Sequence, residues 1–111
     1  MNILKWMVNN VTNIIIDNRE YLIDTNIKLN FDDALLYCQM LNIDGKDDWR
    51  MANATDIQLL YDSKLYQEDF VGWVHDDEYN AATYFINDNE LYLSELNPEY
   101  VGFPVAIVRD I

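Results

Sequence analysis

Two asparagines, Asn30 and Asn53, each stand directly before a short run with apolar residues at helical spacing, and these two starts constrain the fold most. After Asn30, the residues Phe31, Ala34, Leu35, Cys38 and Leu41 recur every three or four positions. Asp32 and Asp33 fill the first turn, where acidic groups favour the helix dipole. The pattern predicts a helix over residues 31 to 42, ended by "NIDG". Asn53 opens a second, shorter helix. Asp56, three residues on, takes the partner position of a capping box, and Ile57, Leu60 and Tyr61 form the buried stripe.

Around these helices the patterning is extended. Residues 11 to 16 and 20 to 24 are rich in Ile, Val and Tyr on either side of the polar turn Asp17-Asn18-Arg19, which predicts a β-hairpin. Short strands are expected at Val71 to Val74, Ala82 to Ile86, Glu90 to Leu93 and Val105 to Val108, with "INDNE" as a hairpin turn. A hairpin, two helices and then several strands is α+β, with a mainly antiparallel sheet. The 111 residues carry no repeat and no Pro- or Gly-rich linker, so residues 1–111 read as a single domain with one core.

Charge narrows the function. Twenty acidic residues against seven Lys plus Arg give a net of -13, which repels phosphate and anionic lipid and argues against direct nucleic-acid or membrane-surface binding. The natural partner of such a surface is a basic protein. Cys38 is the single cysteine, so no intrachain disulfide can form, which fits a reducing compartment. "MNILKWMVNNVTNIII" is interrupted by Asn9, Asn10 and Asn13 and shows no cleavage site, so neither a signal peptide nor a membrane span is expected. Without such a signal, the sequons at Asn10 and Asn53 read as chance. The expected location is the cytoplasm, that of the host if the chain is phage-encoded.

The stretch "DDWRMANATDIQLLYDS" is explained by folding alone. Trp49 ends a loop by burying its ring, Arg50 pairs with a nearby carboxylate or carbonyl, and Met51 to Thr55 lead into the capped second helix. The same stretch, with "FDDALLYCQML", "GWV" and the terminal "VAIVRDI", resembles the C-terminal domain of Lcl-type collagen-like adhesins, a C-type-lectin-like group. That family has a helix of the form "A..YC..L", then "WRLPT..EL..L", a tryptophan strand and a final "VRCVR" strand.

The resemblance covers residues 13 to 111. Ala34, Tyr37, Cys38 and Leu41 match the first helix, Trp49 and Arg50 the hallmark pair, and Ile57 with Leu60 the second helix. Trp73 matches the tryptophan strand and Val108-Arg109 the closing strand. Met51-Ala52-Asn53 replaces Leu-Pro-Thr, Val74-His75 replaces two serines, and Ile107 replaces the last cysteine. The resemblance implies a C-type-lectin-like domain, two short helices flanking a twisted sheet, and structural roles for Cys38, Trp49, Arg50 and Arg109.

Catalytic and metal chemistry find little support. Cys38 and His75 would be a thiolate pair only if a third group oriented them, and Cys38 lies on the apolar helix stripe, where a free cysteine is ordinarily a buried packing residue. "HDDEY", His75 to Tyr79, offers oxygen ligands, but Ca²⁺ needs six to eight converging. The sugar-binding signatures Glu-Pro-Asn and Trp-Asn-Asp are missing. Asp76 and Asp77 are one of several adjacent acid pairs expected by chance in so acidic a chain. No catalytic residue, metal or cofactor is assigned, and an enzyme of the related formylglycine-generating group is disfavoured by length and the lack of a cysteine pair.

One region rises above this background. From Asp62 to Glu99 there are ten acidic residues and one base, Lys64, for a net of -9, interleaved with or flanked by Tyr66, Trp73, Tyr79, Tyr84, Tyr92 and Tyr100. Acids with aromatic anchors suit an interface against a basic protein. The expected partner-binding residues are Glu68, Asp69, Trp73, Asp76, Asp77, Glu78, Tyr79, Asp88 and Glu90. The bland alternative is a domain whose acids keep it dispersed. Two functions follow. The first is a small non-enzymatic inhibitor, of the anti-defence kind made by phages and mobile elements, mimicking nucleic acid to cover a basic binding surface of a host enzyme. The second is a receptor- or glycan-binding module of a surface or phage-tail assembly.

Overall fold

The computed structural model describes residues 3–8, 11–43, 45–66, 70–76 and 80–111. Its elements run β1 (Ile3–Val8), β2 (Val11–Ile16), β3 (Arg19–Leu29), α1 (Phe31–Met40), β4 (Arg50–Met51), α2 (Ala54–Ser63), β5 (Val71–Asp76), β6 (Asn80–Asn87), β7 (Glu90–Glu95) and β8 (Phe103–Asp110). The chain is a small α+β domain with two helices and a mainly antiparallel sheet.

The strands form one sheet in the order β1-β2-β3-β8-β5-β6-β7, with β4 pairing β8 beside this path. The expected first hairpin is β2–β3, and its Asp17 takes a positive φ of 51°. The "INDNE" hairpin is β6–β7, closed by Asp88 and Asn89 at φ 53° and 60°, as a two-residue turn matched to strand twist requires. Strand β1 was not anticipated from the sequence, and β3 runs to Leu29, well past Asp24, with a register shift against β8 between the two. The closing strand β8 is the centre of the sheet. It pairs antiparallel with β3 and β4, while β5 meets it in parallel at Trp73 and Val105.

Both helices begin where the caps predict. Asn30 Oδ1 accepts from the Asp33 N–H at 2.8 Å, and Asn53 and Asp56 form a complete capping box. Helix α1 ends at Met40, two residues short of the expected 42. Because side chains alternate across the sheet, each helix has its own face to cover. Helix α2 sets Ile57 and Leu60 against Ile14, Ile16, Tyr21, Val74, Tyr84, Ile86 and Val108. On the opposite face, Phe31, Ala34 and Cys38 of α1 pack with Trp49, Met51, Trp73, Ala81, Val105 and Ile107.

Ala52 is the staple between the central strands. Its N–H donates to the Ala106 carbonyl and its carbonyl accepts from His75 N–H, both at 2.9 Å.

Candidate functional site

Three parts of the described structure hold polar or aromatic groups with potential chemistry: the Trp-Arg hub, two hollows, and the outer strands. The hub is built around Asp56, whose side chain is fully buried at the start of α2. Arg50 reaches it with two nitrogens, at 2.5 and 3.2 Å, Arg19 Nε at 2.9 Å, and the Asn53 N–H at 2.9 Å. Tyr21 Oη donates to the Asp56 carbonyl at 2.8 Å. Burial alone would raise the Asp56 pKa, but the Arg50, Asn53 and Arg19 donors outweigh it and hold the carboxyl below its ordinary range. Both guanidinium groups are engaged with Asp56, and Arg50 also meets Asp110 at 3.2 Å. This arrangement fastens α2 to β3, β4 and β8.

The other expected structural residues also face inward. The Trp49 ring is buried and its Nε1 donates to the Lys46 carbonyl at 3.1 Å. Arg109 joins Asp48 at 2.6 Å and the nearly buried Glu20 at 3.4 Å. Cys38 is free and buried, and burial pushes its thiol pKa up to about 12. A thiol so raised is not a nucleophile at neutral pH.

A hollow of about 270 Å³ is lined by Leu35, Gln39, Arg50, Met51, Asn53 and His75. Its strongest group, Arg50, is already held by two carboxylates. A second hollow of about 360 Å³ lies against Tyr61, Lys64, Tyr66 and Asn89, where the two tyrosine rings stack 5.5 Å apart. Among the described residues no group of three or more His, Cys, Asp or Glu could hold a metal ion. Likewise, no described helix is long and apolar enough to cross a membrane.

The expected partner-binding residues do not assemble as one set. Glu68, Asp69, Asp77, Glu78 and Tyr79 lie outside the described residues. Trp73 is a correction: it is a core residue with no exposed surface. Its indole N–H donates to the Leu29 carbonyl at 2.7 Å, and its ring meets Phe31 and Phe103 edge-on at 5.6 and 5.7 Å. A tryptophan on a central strand under α1 is enclosed from both sides, which the sequence count of interleaved aromatics could not register. Tyr84 is buried for the same reason on the opposite face. Asp76 pairs with Asn80 at one end of β6, whereas Asp88 and Glu90 stand at the other end. Eight residues of strand separate the two ends by about 23 Å.

What the fold brings together instead is a row of apolar and aromatic side chains across the outer strands. Val71 of β5 pairs with Phe85 of β6, which pairs with Tyr92 of β7. This row shares the face of Trp73 but lies beyond the cover that α1 provides. Phe85 is 36% exposed and Tyr92 48%. Phe103 lies on the same face of β8, with Tyr100 packed against it at 5.4 Å; Tyr100 and Val101 beside it are 53% and 64% exposed.

Acidic groups border the row. Asp88 and Glu90 are exposed at the hairpin, Glu95 ends β7, and Glu99 precedes Tyr100. The Tyr92 hydroxyl donates to Glu90 Oε2 at 2.6 Å, and that carboxylate keeps the phenol protonated to higher pH than usual. Strands β5, β6 and β7 contain no Lys or Arg.

Phe85 and Val101 carry no functional expectation in the sequence reading. The signal was present: a two-residue turn in "INDNE" fixes Asn87 opposite Glu90, and hence Phe85 opposite Tyr92. Comparison with protein-family models, curated proteins and solved structures finds no match to this chain.

Proposed function

We propose that this chain is a non-enzymatic binding module that covers a basic surface on another protein, with the Phe85–Tyr92 row as its apolar anchor and Asp88, Glu90, Glu95 and Glu99 as its steering charges. The observation that carries the reading is an exposed aromatic row on strands without Lys or Arg. Desolvated Tyr and Phe side chains supply affinity, while surrounding like charges speed encounter with an opposite charge and reject other acidic proteins. Surfaces that hold nucleic-acid phosphates are rich in Lys and Arg, so the proposed partner class is a nucleic-acid-binding enzyme and the proposed mode is competitive inhibition.

In this proposal the scaffold is C-type-lectin-like and related to the adhesin domain. The order of capped helix, Trp49-Arg50, capped helix, Trp73 strand and closing Arg109 strand supports that reading. So does the pairing of β8 with the strand preceding α1. The alternative, a receptor- or glycan-binding module, draws on the stacked Tyr61 and Tyr66 beside their hollow. An aromatic platform of this kind suits a neutral ligand.

Inhibition assays on a panel of DNA- and RNA-cleaving and polymerising enzymes, at low and high salt, test the proposal. Inhibition that competes with nucleic acid and weakens with salt is expected for at least one of them. If no enzyme is inhibited while immobilised glycans retain the protein at high salt, the second reading replaces the first.

A further inference from the structure

The free edge of β7 goes beyond the aromatic row. β7 ends the sheet, and among the described residues nothing pairs with its outer side. In a two-residue hairpin the turn-flanking pair exchanges both of its hydrogen bonds, here Asn87 with Glu90, and bonded pairs then recur at every second position. The backbones of Glu90, Tyr92 and Ser94 therefore face β6, and those of Leu91, Leu93 and Glu95 face outward. The Ile86 N–H fits this parity, since it turns away from β7 and donates to the Phe70 carbonyl at 2.9 Å.

An outward row of amides and carbonyls on an exposed six-residue strand is a template for another strand. Natural edges are commonly blunted by lysine, proline or a bulge; β7, "ELYLSE", has none of the three. Its charges select the occupant. A second copy of this chain would set one net charge of -13 against another, and a charge so far from zero keeps copies of a protein apart. A cationic strand would place a guanidinium beside the Tyr92 ring and the Glu90 carboxylate on one face, and beside Glu95 on the other.

From this juxtaposition we infer that β7 captures an extended, arginine- or lysine-bearing segment of its partner by strand addition, antiparallel or parallel to Glu90–Glu95. The inference rests on the proposed binding of a basic partner and adds the mode: main-chain pairing at Leu91, Leu93 and Glu95, with the aromatic row holding the alternate side chains.

The probe is a capped hexapeptide of alternating arginine and valine, titrated into the full chain while backbone amide exchange is followed by NMR. Binding should slow exchange at Leu91, Leu93 and Glu95, and Glu90→Gln should weaken it and flatten its salt dependence. Leu93→Pro removes one outward N–H and leaves the β6 ladder intact, so it should fold while binding about threefold to tenfold more weakly. If the peptide binds in a salt-sensitive way but these amides exchange as before and Leu93→Pro binds normally, strand addition is overturned and the basic-partner reading stands. Absence of binding even at low salt overturns both. Protection that appears without peptide and grows with protein concentration assigns the edge to a second copy and overturns the inference.

Discussion

Phe85 and Tyr92 face each other across the β6–β7 ladder, ring centroids 6.5 Å apart and planes inclined by 29°, on a sheet face that α1 covers elsewhere but not here. An aromatic pair left in water on one half of a sheet, while Trp73 in the same sheet is sealed, is a division of labour between core and surface. The same division organises the polar groups. Asp56, Arg19 and Arg50 are turned inward to fasten an element, whereas Asp88, Glu90, Glu95 and Glu99 stand exposed around the aromatic row.

Asp56→Asn is expected to destabilise the fold by about 3 kcal/mol, because breaking a buried ion pair leaves the remaining charges uncompensated. The partial exposure of Arg19 and Arg50 keeps the cost at the lower end. Denaturant unfolding of the two proteins checks the value. The loss should couple with Arg50→Met in a double-mutant cycle, whereas additivity would mean the two side chains do not act together.

The same carboxylate sets the acid limit. Its folded pKa lies below its unfolded value near 3.8, so its contribution is fully present above that value and is lost as pH falls through the folded pKa. Unfolding free energy measured from neutral pH downward should fall below about pH 4, and more steeply in the native chain than in Asp56→Asn.

On the alkaline side the sign reverses. Cys38, raised by burial to about 12 from 9.0, and Tyr21 and Tyr84, both raised by burial, hold protons in the fold that the unfolded chain releases first. Their contribution is complete below the unfolded pKa values and disappears as pH climbs toward the folded ones. Stability should decline above pH 9, and Cys38 should resist thiol reagents at neutral pH until the chain is unfolded by denaturant.

The helices were legible because their signals are local. Asn30 and Asn53 cap within three residues, and the turn at Asp88-Asn89 needs only its own backbone. Arg50 could be expected to find a carboxylate, but Asp56 as that carboxylate, shared with Arg19 from 37 residues away, follows from β3 and α2 meeting in space. Strand β1 is hard to read from sequence because "ILKWMV", followed by Asn9 and Asn10, resembles a leader segment as much as half of a hairpin. Trp73 reads as an anchor in the sequence because it stands among acids, and only the strand order puts it under α1.

Gly72 marks the close passage of β5 by β8. A Cβ there would lie 2.9 Å from the Pro104 carbonyl oxygen and 3.0 Å from Tyr84 Cε1. Backbone cannot yield as a side chain can, so Gly72→Ala should cost about 1–3 kcal/mol, read by thermal unfolding. Stability equal to the native chain would contradict the observed approach of these strands.

The most direct test of the binding account is the affinity of Phe85→Ser/Tyr92→Ser for a basic enzyme that the native chain inhibits, measured beside the native chain by titration calorimetry. Both residues are exposed, so the double variant should lose only about 0.2–1 kcal/mol of cross-strand stabilisation. Its affinity should fall at least tenfold, since paired aromatic anchors each cost about 1–2 kcal/mol or more when truncated. An unchanged affinity in a folded variant would contradict the claim that this row is the anchor of the interface.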